Sequence, residues 1–249
     1  MENPIRLHWL DPRDPRQPFP PQHLALREPN GLLALGGDLS VTRLLRAYSQ
    51  GVFPWFNPDE PILWWCPDPR CVLRPQDFKT SRSLAKRLRK DDYAVSLNRA
   101  FDDVVRGCAA PRAHGRGTWL GGHMQRAYEE LHQRGFCQSI EVWRSGRLIG
   151  GLYGVSIGRA FFGESMFSAE TDASKIALHW LCQQLAAWNF ALIDCQVTTA
   201  HLLSLGAQTL SRQRFLLDLK TAVAGGGRTG IWQFDIPVPA ARAHLSAAP

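Results

Sequence analysis

The sequence has no apolar run long enough to cross a membrane and no signal peptide. Apolar stretches such as residues 62–65 (ILWW) are cut short by Pro, Gly or Arg before they reach the about 20 residues that a transmembrane helix needs. Residues 1–21 are polar and rich in proline, whereas a signal peptide has a charged segment followed by an apolar one. We therefore expect a cytoplasmic protein that has no membrane partner.

The six cysteines lack the spacing of a metal or redox site. None belongs to a CxxC pair, and none has neighbouring histidines at the spacing of a zinc site. Several are flanked by apolar residues, which favours reduced thiols in the protein core. We expect no metal site, and we expect the eight scattered histidines to lie on the surface or to pack against other side chains.

Acidic residues are fewer than basic ones. The chain has 22 Asp and Glu against 29 Lys and Arg, which gives a formal net charge of +7. This excess favours a polyanionic partner, with nucleic acid ahead of an anionic membrane surface. The 249 residues are enough for one large domain or for two smaller domains with an apolar core.

Residues 51–70 (GVFPWFNPDEPILWWCPDPR) place five aromatic residues among five prolines. Proline restricts the backbone, so these rings are held in defined positions. Packing in a small core explains most of them. Trp55 is the best candidate for a platform on which a flat ligand stacks. Before this segment, Asp38 or Ser40 is a candidate cap for a helix over residues 41–50.

Residues 70–99 contain nine Lys or Arg against three Asp. The spacing of residues 81–90 (SRSLAKRLRK) predicts a helix with Leu84 and Leu88 on its buried face. The exposed face would then be basic, which suits a phosphate backbone, although a charged face can also be merely solvated. The candidate contacts to a nucleic-acid backbone are Lys79, Arg82, Lys86, Arg87, Arg89 and Lys90.

Residues 138–197 predict three strands, a helix that begins near Ser174, and a fourth strand over residues 191–197. Glycines within the second strand indicate a bulge or a close approach of a ligand. Alternation along the fourth strand places Asp194 and Gln196 on the same side. A buried acid and amide need partners, so the pair is either a satisfied hydrogen-bonded pair in the core or a functional site.

Several motifs resemble the leucyl/phenylalanyl-tRNA–protein transferase family. They are EPNGLLALGGDLS, GVFPWFNPDEPILWWCPDPR, GTWL, GGLYGV, GESMFS and IDCQ, in order between about residues 26 and 217. The resemblance implies an α+β fold, with a small N-terminal domain (residues 1–68) and a mixed-sheet catalytic domain (residues 69–249) of the acetyltransferase (GNAT) type. It implies transfer of Leu or Phe, and less readily Met, from aminoacyl-tRNA to proteins with N-terminal Arg or Lys. The new N-terminus would be destabilising and would lead to proteolysis by the N-degron pathway.

The resemblance also implies site residues. Asp194 and Gln196 would be catalytic, Asp194 by orienting or attracting the cationic N-terminal residue and Gln196 by hydrogen bonding the attacking amine. Trp55, Trp119 and Glu164 match the residues at the terminal adenosine of the tRNA. The apolar pocket for the amino acid would be lined by Leu152, Phe161, Leu178, Ile193 and, as a further candidate, Leu185. The basic residues between 79 and 90 would bind the tRNA.

Two other functions remain possible. An acyl-CoA N-acyltransferase of the GNAT type needs a glycine-rich turn that binds the pyrophosphate, but residues 166–174 (MFSAETDAS) contain no glycine and two acids, Glu170 and Asp172. A non-catalytic RNA-binding protein would leave Glu164, Asp194 and Gln196 unexplained. We therefore expect an enzyme without acetyl-CoA or another cofactor, acting as a monomer on aminoacyl-tRNA and acceptor proteins.

Overall fold

The computed structural model describes residues 7–110 and 120–240, in which eleven strands and seven α-helices are found. The strands are β1 (His8–Leu10), β2 (Leu32–Gly36), β3 (Phe53–Pro54), β4 (Leu63–Trp65), β5 (Arg70–Leu73), β6 (Ala94–Leu97), β7 (Cys137–Arg144), β8 (Arg147–Ile157), β9 (Ala160–Ser168), β10 (Leu192–Gln196) and β11 (Gln208–Leu210). The helices are α1 (Val41–Ser49), α2 (Arg82–Leu88), α3 (Phe101–Ala109), α4 (Gly122–Gln133), α5 (Ala173–Ala187), α6 (Ala200–Ser204) and α7 (Arg212–Ala224).

The N-terminal part forms a four-stranded sheet in the order β1-β2-β4-β3, accompanied by α1. Ser40 caps α1, since its side chain accepts a hydrogen bond from the Arg43 N–H, and Asp38 in turn accepts one from the Ser40 N–H. The predicted helix start is confirmed, with both candidate residues taking part. Leu44, Ala47 and Tyr48 of α1 are buried, and Tyr48 packs against the larger sheet through Phe162.

The larger sheet has seven strands in the order β11-β5-β10-β9-β8-β7-β6. β7, β8 and β9 are antiparallel, and β10 pairs parallel to β9 after the crossover helix α5. The predicted order of three antiparallel strands, helix and strand is confirmed, and it is the order of a GNAT-like domain. The chain passes from the small sheet to the large one between Trp65 and Arg70, the segment in which the domain boundary was predicted.

The strands β9 and β10 separate after three paired residues. Residues 192–194 of β10 pair with residues 160–162 of β9, after which β9 continues beside β8 as far as Ser168. β10 ends at Gln196, where its pairing with β5 contains a bulge. The sheet therefore opens between these two strands, on the side where α5 begins.

Two glycines of β8 allow close packing. A Cβ atom on Gly154 would lie 2.2 Å from the Phe162 carbonyl oxygen, and one on Gly150 would lie 2.5 Å from the Ala173 Cβ. The register of β8 against β9 also shifts between Tyr153 and Gly154. The predicted bulge is confirmed at this strand, and the atoms that approach these two glycines closely belong to the protein.

The described chain ends in a segment without helix or strand, residues 225–240, which we call the C-terminal arm. Its Trp232 is buried in the core of the larger domain, and the Pro239 carbonyl accepts a hydrogen bond from the Val95 N–H of β6. The arm thus continues the packing of the domain beyond the last helix.

Within residues 7–110 and 120–240, no helix has the length and apolar character needed to span a membrane. The same residues contain no group of three or more side chains placed to hold a metal ion. All six cysteines are free thiols, and Cys195 is the one that is partly exposed.

Candidate active site

A cavity of about 570 Å³ lies where β9 and β10 separate. Its apolar wall includes four of the five residues predicted for an amino-acid pocket, namely Leu152, Phe161, Leu178 and Ile193. The fifth, Leu185, does not line the cavity, because it is fully buried in the apolar core two turns further along α5. Met166, Leu181 and Leu202 also line the cavity and were not predicted.

A second cavity of about 330 Å³ adjoins the first. The two cavities share four lining residues: Glu164, Cys195, Gln196 and Val197. The rest of the second cavity is lined by Phe53, Pro54 and Trp55. The site therefore consists of a larger apolar chamber and a smaller aromatic one, with an acid and an amide between them.

Trp55 offers an exposed ring in a fixed position. The residue is 46% exposed, while its carbonyl accepts a hydrogen bond from the Trp65 indole N–H at 2.6 Å. The two indole rings also contact each other, with centroids 5.9 Å apart. This geometry suits stacking of a flat ligand. Trp119, the other predicted aromatic residue, lies outside the described residues.

Glu164 is held by two tyrosines. The Tyr128 hydroxyl donates to Glu164 Oε2 at 2.5 Å, and the Tyr48 and Tyr128 hydroxyls are 2.9 Å apart. Burial raises the pKa of Glu164 to about 7, although the tyrosine hydrogen bonds lower it in part. Glu164 Oε1 has no hydrogen-bond partner among the described residues. The carboxyl group can therefore receive or give a hydrogen bond near neutral pH.

The tyrosine pair was not predicted as part of the site. Tyr48 belongs to the buried stripe of α1, and Tyr128 lies on the buried face of α4. A buried tyrosine hydroxyl usually finds a polar partner, so a tyrosine on an apolar helix face is the signal that could have indicated this network. Which partner it finds depends on the packing of α1, α4 and β9.

Asp194 is fully buried and forms a bidentate ion pair with Arg70. Arg70 Nε donates to Oδ1 at 2.8 Å and Nη2 donates to Oδ2 at 2.6 Å. The guanidinium lies over the rings of Phe53 and Phe215, at 4.8 and 4.5 Å from their centroids. Asp194 lines neither cavity, so the expectation that it attracts an acceptor residue by direct contact does not fit this geometry. Arg70 was not predicted.

Gln196 lines both cavities, and its backbone is held in an unusual conformation. Its φ is +56°, a left-handed value that non-glycine residues rarely adopt. The bulge in β10 falls between Asp194 and Gln196, and Asp194 Oδ1 accepts a hydrogen bond from the Gln196 N–H at 3.0 Å. The predicted alternation therefore fails here, since Asp194 is turned into the interior and Gln196 lines the cavities. The Gln196 amide nitrogen Nε2 has no partner among the described residues.

The predicted basic residues lie on and around α2. Ser81 caps this helix, and Leu84 is buried as predicted, whereas Leu88 is half-buried against the core. Five of the six residues are exposed and form no salt bridge within the described chain: Lys79, Arg82, Lys86, Arg89 and Lys90. Arg87 differs, because its side chain is 11% exposed, forms a salt bridge with Asp92 at 2.5 Å and lies over the Tyr93 ring.

Comparisons with known proteins agree with one another. Residues 72–220 match the family model described as leucyl/phenylalanyl-tRNA protein transferase, and residues 37–68 match the model of its N-terminal domain. A leucyl/phenylalanyl-tRNA–protein transferase of Alkalilimnicola ehrlichii is 53% identical over 92% of this chain and 90% of its own length. One of Nitrosomonas europaea is 57% identical over 89% of this chain and 94% of its own.

Solved structures with a similar fold are more distant. A GCN5-related N-acetyltransferase of Kribbella flavida is 8% identical, with a TM-score of 0.37 over 65% of this chain and 57% of its own. A GCN5-related N-acetyltransferase-like protein of Streptococcus suis is 12% identical, with a TM-score of 0.33 over 66% of this chain and 61% of its own. These scores are too low to support a conclusion about function.

Proposed function

The chain belongs to the leucyl/phenylalanyl-tRNA–protein transferase family, and we propose that it transfers Leu or Phe, less readily Met, from aminoacyl-tRNA to proteins with N-terminal Arg or Lys. The observation that carries this proposal is the pair of adjoining cavities with Glu164 and Gln196 between them. The product would carry a destabilising N-terminus and be degraded by the N-degron pathway. The enzyme would act as a monomer in the cytoplasm.

The two cavities suit the two parts of the tRNA end. The apolar cavity of about 570 Å³ has the character required for a Leu or Phe side chain. The smaller cavity presents the Trp55 ring, on which the terminal adenine would stack, and Glu164, whose carboxyl would hydrogen bond the base. The ester that joins the amino acid to the ribose would then lie at the shared wall, beside Gln196.

The reaction is the aminolysis of an ester. The acceptor's α-amine attacks the aminoacyl carbonyl carbon, the new C–N bond forms, and the C–O bond to the ribose breaks with a proton going to the ribose oxygen. An α-amino group has a pKa of about 8, so a useful fraction of it is neutral without a strong base. Positioning of the two substrates therefore contributes much of the rate.

Gln196 would hold the attacking amine. Its side-chain oxygen can accept a hydrogen bond from the amine, and its unpartnered Nε2 can donate to the oxygen on which charge develops. An amide is too weak a base to take the proton, so the proton would pass through water or the ribose hydroxyl. Asp194 would act through Gln196, because its carboxylate accepts a hydrogen bond from the Gln196 backbone N–H.

The exposed basic residues around α2 would bind the tRNA backbone. We propose that Lys79, Arg82, Lys86, Arg89 and Lys90 contact phosphates. We leave Arg87 out of this set because its guanidinium pairs with Asp92 inside the protein. The absence of acidic partners for the other five side chains in the described chain supports the proposal, since those cations are available to an external anion.

Acetyl-CoA is disfavoured by the backbone at the start of α5. A pyrophosphate there would need free N–H donors. Four N–H groups donate within the protein instead, those of Ala169, Glu170, Ala173 and Ser174. The acids at this turn are paired with Arg144, Arg147 and Lys175, so their repulsion is weaker than the sequence indicates. The N–H groups that are already hydrogen-bonded are therefore stronger evidence against acetyl-CoA binding than the two acids are.

Transfer of a labelled amino acid to a peptide with N-terminal Arg or Lys tests the proposal. We expect transfer from leucyl- and phenylalanyl-tRNA and slower transfer from methionyl-tRNA, with none to the same peptide acetylated at its N-terminus. Failure with all three charged tRNAs would overturn the proposal. Saturable binding of acetyl-CoA would favour an N-acyltransferase, and tight tRNA binding without transfer would favour an RNA-binding protein.

A further inference from the structure

Trp232 of the C-terminal arm is fixed in the core by its backbone. The residue is 3% exposed, its backbone N–H donates to Gln138 Oε1 at 3.0 Å, and its carbonyl accepts a hydrogen bond from Asn98 Nδ2 at 3.0 Å. Gln138 also donates to the carbonyl of Gly230 in the arm at 3.0 Å. These hydrogen bonds fix the backbone at Trp232 and thereby fix the position of its indole ring in the core.

The ring of Trp232 contacts a residue that lines the amino-acid cavity. Its centroid is 6.1 Å from that of Phe161, which belongs to the cavity wall. Trp188 and Phe190 surround the rest of the indole, at 5.0 and 5.4 Å between centroids. Trp232 also belongs to the same apolar cluster as the cavity residues Leu178 and Ile193. Phe161 therefore lies between Trp232 and the cavity.

The arm also supports α5, the helix that carries another part of the cavity wall. Asp235 accepts hydrogen bonds from Gln184 Nε2 at 2.6 Å and from Trp188 Nε1 at 2.7 Å. The Asp235 N–H donates to Gln184 Oε1 at 3.0 Å. The match to the family model ends at residue 220, so these contacts come from a segment beyond it.

We propose that Trp232 is a specificity-determining residue, which sets the depth of the amino-acid cavity by preventing Phe161 from moving away from it. The inference rests on the proposed function. Protein interiors are close-packed, so an aromatic ring can retreat only when space is made behind it. A smaller residue at position 232 would provide that space and deepen the cavity. A deeper cavity favours the longer Phe side chain over Leu.

The test compares kcat/KM for phenylalanyl-tRNA and leucyl-tRNA, with a peptide carrying N-terminal Arg as acceptor. In Trp232→Leu, we expect the ratio of kcat/KM for phenylalanyl-tRNA to that for leucyl-tRNA to rise by about 3-fold or more. A difference of one methylene inside an apolar pocket alters selectivity by about 10- to 200-fold. The expected rise is smaller because Trp232 acts on the cavity only through Phe161. The matched control is Trp143→Leu, which removes the same side chain from a position on β7 that lines neither cavity, where the ring lies over Arg99 and the indole N–H donates to Ser96. We expect its ratio to equal that of the wild type.

A ratio is the decisive readout because partial unfolding lowers both rates equally. An unchanged ratio in Trp232→Leu, or an equal change in Trp143→Leu, would overturn the inference. If Trp232→Leu does not fold, as judged by circular dichroism, Trp232→Phe takes its place with a smaller expected shift in the same direction. If the wild type transfers neither amino acid, the proposed function has failed, which is distinguishable from a failure of Trp232 alone.

Discussion

Arg70 and Asp194 form a buried, bidentate ion pair between the neighbouring strands β5 and β10. Both side chains are buried, and Asp194 also accepts a hydrogen bond from the backbone N–H of Gln196. The pair thereby connects the core of the sheet to the strained residue at the junction of the two cavities. Asp194 lines neither cavity and contacts the site through the backbone of Gln196.

Removal of one partner of this pair should destabilise the protein strongly. Asp194→Ala leaves the Arg70 guanidinium buried and unpaired, which we expect to lower the free energy of unfolding by about 3–5 kcal/mol. Urea denaturation measures this change. The double variant Arg70→Met/Asp194→Leu removes both charges and should recover most of the stability while remaining inactive in transfer. Wild-type transfer by the double variant would show that Asp194 is not needed for activity.

The conformation of Gln196 predicts that stability and activity can be separated. Its φ of +56° is strained for a residue with a side chain, so Gln196→Gly should retain or raise the unfolding free energy by up to about 1 kcal/mol. The same change removes the amide from the cavities, and we expect kcat to fall about 100-fold or more. Gln196→Ala is the control, with the same loss of kcat and no gain in stability. A Gln196→Glu enzyme with a near-normal rate would argue against a specific role of the amide.

Glu164 should make folding less favourable as the pH rises. Its pKa is about 7 in the folded protein against a usual 4.5, so the folded state holds the proton over this interval while the unfolded chain loses it. The resulting loss of stability between pH 4.5 and 7 is up to about 3 kcal/mol. We expect Glu164→Gln to lack this loss and to be more stable than the wild type at pH 8, as measured by urea denaturation at several pH values.

The tyrosine next to Glu164 provides a second test of the same group. Tyr128→Phe removes the hydroxyl that donates to Glu164 Oε2, which stabilises the carboxylate form. We therefore expect the pKa of Glu164 to rise further in this variant and the pH dependence of stability to extend to higher pH. A stability profile identical to that of the wild type would mean that the carboxyl group titrates without help from Tyr128.

The basic residues of α2 should divide into two classes. Arg82→Ala or Lys86→Ala should weaken tRNA binding and reduce the slope of log K against log salt by about 0.7–0.9 each, because one phosphate contact is lost. Arg87→Ala should instead lower stability through the loss of its Asp92 and Tyr93 contacts, with the salt slope unchanged. Filter binding of tRNA at several salt concentrations measures the slopes. Equal slopes in all three variants would contradict this division.

Two leucines of α5 should have different effects when shortened. Leu178→Ala enlarges the cavity and should change the relative rates with leucyl- and phenylalanyl-tRNA. Leu185→Ala leaves a void in the core and should lower the unfolding free energy by about 2–5 kcal/mol without changing the relative rates. Both variants need only the transfer assay and a denaturation curve. If Leu185→Ala changes the ratio of the rates with leucyl- and phenylalanyl-tRNA, Leu185 contributes to the amino-acid pocket after all.

Local sequence determined most of the elements of this fold. The capped start of α1, the basic helix α2 with Leu84 buried, and the order of strands around α5 all follow from spacing and turn residues within short stretches. These elements can be predicted because the spacing of residues along the chain determines which of them share a face of a helix or strand. The motifs of the family are also contiguous strings, so membership was evident from the sequence.

The tertiary structure determined which residues that are distant in the sequence contact each other. Arg70 and Asp194 are 124 residues apart in the chain, and strand pairing brings them together. The bulge in β10, which no local pattern indicates, turned Asp194 inward and Gln196 toward the cavities. Leu178 and Leu185 share one helix stripe but lie about 10 Å apart along the axis, so only the former reaches the cavity. Spacing defines a face, whereas the contact made by each residue of that face depends on which elements pack against it.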